Sequence, residues 1–401
     1  MDSGTSYEKA SFGNGKEDLV RDEKMTKLMH SWEGLNDVER RRRAILRRSE
    51  MSFWKVIMFW DGTCLKALTK DWLLWFTVGV YVFCRMQIRL PWIPLQVYDF
   101  GNSDIGIIGG FLSFFLVLFV NQTNMRFNEQ YKTSMNCEQY IFDMASLVVT
   151  VLPKADAARI IRYMNAAHVA GYAGLSKTYS KSTFFDELNK RLGLLAPKER
   201  TRVAALDMDS GAACFQEMTT WAMKDIATAQ KNDHIDGRLA GSMRDKLLAF
   251  RGSMETLYDY GDQPVPFYYI HFLSILSALY LPLFAVSNAY AAGMEEDEIH
   301  WSSDIITGLI VLVQAIFVIG LRLLGQQMMD PYGDDEEDLS VLHYVRTGWE
   351  TSNRILATRF PDDVDPAAEE EVARERASLG GAWEDGWTPK PDDAGNASGL
   401  V

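Results

Sequence analysis

The sequence predicts an all-α, polytopic membrane protein with four transmembrane helices per subunit and a large helical cytosolic domain. Three observations carry this expectation. Four apolar segments each approach the roughly 20 residues that a helix needs to cross the hydrocarbon of a bilayer. The long stretch between the second and third has apolar residues at helical spacing, as in Ala157, Ile160, Ile161 and Met164. No strand-like alternation of any length interrupts it. A mean hydropathy of −0.12 would suit a soluble protein, but that average hides strong segregation along the 401 residues.

The first segment, 71–88, carries Trp72 and Trp75, which suit a membrane interface, and a helix is expected over about 71–90. The second, 105–120, holds no charge at all. It is short, so either flanking polar residues continue the helix out of the bilayer, to about 124, or the segment lines something wet. The third and fourth, 267–292 and 305–325, predict helices over about 266–292 and 304–325. Buried core helices of a large soluble protein are the alternative, and four such stretches with interfacial aromatics count against it. Between the second and third segments, 125–262 reads as a cytosolic helical region, with Pro153 and Pro197 marking breaks.

Loop charge sets the orientation. The connection 293–304 has no Lys or Arg, whereas Arg40, Arg41, Arg42, Arg43, Arg47 and Arg48 precede the first segment. By the positive-inside rule both termini and the middle region are cytosolic. The arginine cluster is either a basic patch on anionic lipid or a solvated helix face. The N-terminus has no apolar h-region for a cleavable signal and no Arg/Ser-rich transit character. The expected address is therefore the plasma membrane.

Several function classes are disfavoured. A net charge of −13 argues against a nucleic-acid partner, which would need a basic face. The four cysteines form no CxxC pair, so neither a disulfide framework nor zinc is indicated. No Ser/His/Asp set, phosphate loop or paired-carboxylate constellation appears, and an enzyme is not expected. His271, inside the third segment, is an ionisable group at membrane depth; it is either functional or polar packing. Asn121-Gln122-Thr123 matches a glycosylation sequon but falls at the cytosolic end of a membrane helix.

The most informative stretch is Asp330-Pro331-Tyr332-Gly333-Asp334-Asp335-Glu336-Glu337-Asp338, directly after the fourth segment. Five consecutive acidic residues follow a Pro-x-Gly turn. Carboxylates crowded this closely repel one another unless a cation sits among them, and hard oxygen ligands in a flexible turn suit Ca²⁺. A solvated acidic loop is the plainer alternative; position at the mouth of a membrane helix favours the cation.

Together these pieces resemble the bestrophin family of pentameric anion channels. Residues 326–338 are similar to its "EQLINPFGEDDDDF" segment, and Arg322 parallels a basic residue before it. Residues 257–269 resemble "LYAYDWISIPLVYTQ", with the Asp, Pro and aromatic residues in step. Ser52-Phe53 and Phe59-Trp60-Asp61-Gly62-Thr63 resemble the entry to the first helix. The likeness covers about 50–345 and implies a channel domain over 46–361. Before it would lie a largely disordered segment, 1–45, and after it an acidic disordered tail, 362–401.

The resemblance implies a homopentamer in the lipid bilayer that passes chloride and other small anions, bicarbonate included, and binds Ca²⁺ in a cytosolic clasp. Side-chain ligands would be Asp335 and Asp338, with Asp334 beside them. Backbone carbonyls would come from Gln327, Asp330 and a residue near Leu46. The pore neck would be built from the second segment. One register puts Ile107, Phe111 and Phe114 on the pore; the other puts Gly106 and Gly110 there. The family's Arg-Trp-Trp is replaced here by Phe119-Val120, which puts charge-based selectivity in doubt. Aromatic edges and helix N-termini would still offer an anion partial positive charge. Other readings are a secondary transporter, for which inverted repeats and intramembrane charges are missing, and a non-conducting Ca²⁺-binding scaffold.

Overall fold

The computed structural model describes residues 35–37, 39–40, 54, 63–89, 102–176, 178–206, 212–294, 301–333 and 338–358. Among them the chain is helical and has no strand beyond an isolated bridge between Ala173 and Ser176. It divides into two units, one drawn from 48–128 and 264–331, the other from 26–47, 129–263 and 332 onward.

In the first unit, α1 (Cys64–Lys70) runs into α2 (Trp72–Arg89). Asp71 between them uses Oδ1 to accept the Leu73 N–H at 2.9 Å, satisfying one donor of the first turn of α2. The second apolar segment opens α3 (Asn102–Val151), a continuous 50-residue helix of about 75 Å at 1.5 Å per residue. The third and fourth form α9 (Phe267–Met294) and α10 (Trp301–Gln327). Among the described residues three helices are long and apolar enough to cross a membrane, within Ile105–Val151, Phe267–Tyr290 and Ser302–Gln327. The first segment is helical as expected, but its apolar part, Trp72–Ile88, is shorter than those three.

The core of this unit is one row from each helix. On α3 the buried positions are Ile105, Leu112, Leu116 and Phe119, spaced three, four and seven apart, which places them on one face. They meet Leu73 of α2, Leu273 and Leu281 of α9, and Val318 and Ile319 of α10. Two close approaches demand glycine. A Cβ on Gly109 would overlap the Tyr280 hydroxyl, and one on Gly325 would overlap the Phe119 ring.

Two ion pairs join the ends of α2 and α10. Arg322 bonds the second oxygen of Asp71. Arg85 bonds Asp304 and donates to the Ala289 carbonyl at 2.8 Å. The two pairs lie at opposite ends of the same two antiparallel helices with their polarity reversed: acid on α2 side and base on α10 at one end, base on α2 and acid on α10 at the other.

The second unit contains the C-terminal half of α3, then α4 (Lys154–Tyr172), a π-turn (Lys181–Phe185), α5 (Asp186–Leu192), α6 (Pro197–Ala204), α7 (Ala212–Lys231), α8 (Gly237–Asp262) and α11 (Val341–Leu356). α7 packs on α4 and α8, and α11 packs on α4. Its interior is conventional: Ile160, Ile161, Met164, Phe215, Met218, Met243 and Phe250 are all buried. Glu199 in the first turn of α6 takes Arg162 on both oxygens, at 2.6 and 2.9 Å, together with the Tyr163 hydroxyl and the Ala196 N–H. Burial opposes its ionisation, but these hydrogen bonds outweigh it and hold the carboxyl down at about 2.

Of the segment 1–45, residues 35–37, 39 and 40 are described, and they are helical. The rest of it, and the tail 362–401, lie outside the described residues.

Candidate functional site

The acidic run is held at both flanks, and both holds lie within the second unit. On the leading side Tyr332 is buried, its hydroxyl 2.8 Å from Ser134 Oγ and donating to the Gln130 carbonyl at 3.3 Å. Its ring lies 6.0 Å from that of Tyr172. Ser134 and Gln130 sit four residues apart on α3 and therefore on one face. On the trailing side Asp338, Leu339 and Ser340 are buried, and Ser340 donates to Glu39. At the two ends of the run it is an aromatic residue, Tyr332, and an apolar one, Leu339, that enter the core.

Of the residues expected to hold the cation, Asp338 is buried in the second unit. Asp334, Asp335 and Leu46 lie outside the described residues. Gln327 closes α10 and Asp330 follows it, both half-buried and both in the first unit. Beyond Gln327 the chain winds down through Met328 N–H to the Leu324 carbonyl and Met329 N–H to the Gln326 carbonyl, each at 3.3 Å. The last carbonyls of a helix lack intrahelical partners and are natural oxygen donors. Among the described residues, no three His, Cys, Asp or Glu side chains come together as a metal cluster.

The expected neck residues are all on the outward face of α3. Ile107, Phe111 and Phe114 are 60%, 63% and 58% exposed, on one stripe of the helix. Gly106 and Gly110 are also exposed, so both registers lie on the side that this chain leaves uncovered. Phe119 is buried and Phe115 packs beside the core, edge-on to Phe272 at 6.4 Å. His271 is exposed and stacks on Phe267 at 5.7 Å.

Sequence reading missed Glu39, Tyr179 and Ser340, which form the trailing hold, and the partners of Arg85 and Arg322. For the arginines a signal was available: a charge inside an apolar segment calls for an opposite charge at the same depth. Asp304 and Asp71 stand at the matching ends of the matching segments.

The family described as "Bestrophin, RFP-TM, chloride channel" matches residues 42–357, and the chain belongs to it. Among relatives, Bestrophin-6 of Caenorhabditis elegans is 19% identical over 333 residues, covering 80% of this chain and 84% of its own length. Bestrophin homolog 13 of the same organism is 23% identical over 265 residues, and the chain spans 62% of its length. A bacterial Bestrophin homolog from Klebsiella pneumoniae aligns over 72% of this chain and 98% of its own, with a TM-score of 0.60 and 15% identity. At that identity the likeness is one of fold.

Proposed function

We propose that the protein is a Ca²⁺-regulated anion channel that passes chloride and bicarbonate through a single axial pore, formed by five copies of the chain. Each copy crosses the plasma membrane four times, with both termini cytosolic. The carrying observation is the anchorage of Tyr332 and Ser340 on either side of the acidic residues. A run of like charges fixed at both ends cannot relieve its repulsion by spreading, which favours a bound cation. As the likeness to the family implies, Asp334, Asp335 and Asp338 with carbonyls from Gln327, Asp330 and Leu46 would make an all-oxygen donor set. That set fits Ca²⁺, which takes six to eight oxygens, and does not fit zinc or copper. Ile107, Phe111 and Phe114 would supply stacked apolar rings, and a constriction of that kind gates by dewetting.

The test is planar-bilayer recording of the purified protein in a chloride gradient, with free Ca²⁺ on the cytosolic side stepped from nanomolar to micromolar. Reversal near the chloride equilibrium potential, with current that follows Ca²⁺ and loses that dependence in Asp338→Ala, is the expected result. Unchanged Ca²⁺ dependence in that variant removes the clasp. Silence at every Ca²⁺ level in folded protein moves the reading to a non-conducting scaffold.

A further inference from the structure

The segment after the acidic run is tied to a residue that precedes the family match. Glu39 lies before residue 42, where that match begins, and is fully buried. Each of its carboxylate oxygens accepts from a different hydroxyl. Oε1 takes the Tyr179 hydroxyl at 3.0 Å, and Oε2 takes that of Ser340. Tyr179 is itself immobile: fully buried, in the turn after α4, and edge-on to Phe184 at 5.1 Å.

Ser340 stands at the N-cap of α11, where a serine hydroxyl ordinarily accepts a backbone N–H of the first turn. That bond is not made here. The hydroxyl donates to Glu39 instead, so the start of α11 is held by another segment rather than by its own cap. Asp338 is two residues upstream, and 338–340 are all more than nine-tenths buried. At that density the backbone of Asp338 has little freedom once Ser340 is fixed.

We propose that Glu39 is a positioning residue for the acidic run: through Ser340 it sets the backbone that carries Asp338, and thereby the Ca²⁺ affinity of the run. This rests on the cation reading above and adds to it a control point in the N-terminal segment. Any partner or modification that draws residues 35–40 away would weaken Ca²⁺ binding without touching a ligand.

The experiment uses the purified full-length protein and the variants Glu39→Ala, Glu39→Gln, Ser340→Ala and the Glu39→Ala/Ser340→Ala pair. Backbone amide exchange over 338–342 is read without Ca²⁺, and chloride flux from vesicles is then titrated with Ca²⁺. Loss of one buried hydrogen bond should speed exchange and raise the half-maximal Ca²⁺ concentration about tenfold. Maximal flux at saturating Ca²⁺ should stay at the wild-type level. Glu39→Gln, which keeps one acceptor oxygen, should fall between, and the double variant should add little to Glu39→Ala. Ser340→Ala retains the bond from Tyr179 and serves if Glu39→Ala does not fold. Unaltered exchange and an unaltered midpoint in Ser340→Ala overturn the proposal and leave the channel reading standing. Faster exchange in a protein whose wild type ignores Ca²⁺ overturns the cation reading, and with it the claim about affinity.

Discussion

In the first unit Arg85 and Arg322 are each matched by a carboxylate, although the Nε of each is buried without a hydrogen bond, whereas in the second His168 is buried as an imidazole whose Nε2 no hydrogen bond reaches. The difference follows from what each group can give up. A guanidinium cannot lose its proton in a protein, so a low-dielectric setting forces it to bring a counter-charge. An imidazole can, and burial pulls His168 down to about 3, leaving it neutral beside Gly348. Outward faces differ as well. Ile305, Ile306, Leu309, Val313 and Phe317 of α10 are exposed, while exposed positions of the second unit include the Lys132–Glu129 ion pair and Arg202. The first set suits lipid or further copies of the chain and the second suits water.

The contrast can be broken first at Arg85. Arg85→Ala takes the guanidinium away from the Asp304 carboxylate, and should cost roughly 3 kcal/mol in thermal unfolding of the purified protein. Exchanging the charges, Arg85→Asp with Asp304→Arg, should recover part of that loss; equal losses in single and exchanged variants would show that the pair is not coupled. Next comes Gly325→Ala, whose new Cβ meets the Phe119 ring. Displacing a buried aromatic should cost roughly 3 kcal/mol, the upper end for overpacking, and Phe119→Leu in the same background should restore most of it.

The second unit is probed by acid. His168 is held below its usual value near 6.5 by burial. The unfolded chain therefore takes up a proton at pH values where the folded chain does not, and stability falls as pH drops from about 6.5 toward 3. Between pH 7 and 5 the loss should be about 2 kcal/mol, and His168→Gln should flatten the melting-temperature profile over that interval. Glu199 has the opposite sign: its stabilisation is complete above its usual value of 4.5 and fades toward 2, outside that interval. The smallest effect on stability belongs to Phe111→Ala. Its side chain is exposed, so the fold should hold within about 0.5 kcal/mol while single-channel recordings show a leakier, less gated pore. An unaltered current–voltage relation would favour the Gly106/Gly110 register.

What was legible in the sequence follows the same physics. α9 and α10 are uniform apolar runs of membrane length, and the acidic residues after Gln327 stand out by charge alone. Helicity between 125 and 262 could be read because Ile160, Ile161 and Met164 keep the helical period. Glu39 could not be read, because its burial depends on hydroxyls 140 and 301 residues away and four arginines follow it directly. The neck register was equally hidden: Ile107, Phe111, Gly106 and Gly110 all lie on uncovered parts of α3, and nothing within one chain separates the two registers.

The reversed ion pairs at the two ends of α2 and α10 have a dynamic consequence. Sliding one helix past the other by a single turn, about 5.4 Å, would break Asp71–Arg322 and Arg85–Asp304 at once, and the like charge one turn beyond Arg85, Arg89, could re-form no more than one of them. The two helices are thus pinned like a hinge plate by two screws. Any motion of this unit would then carry them as one body, and the give would come from helices that lack such fasteners.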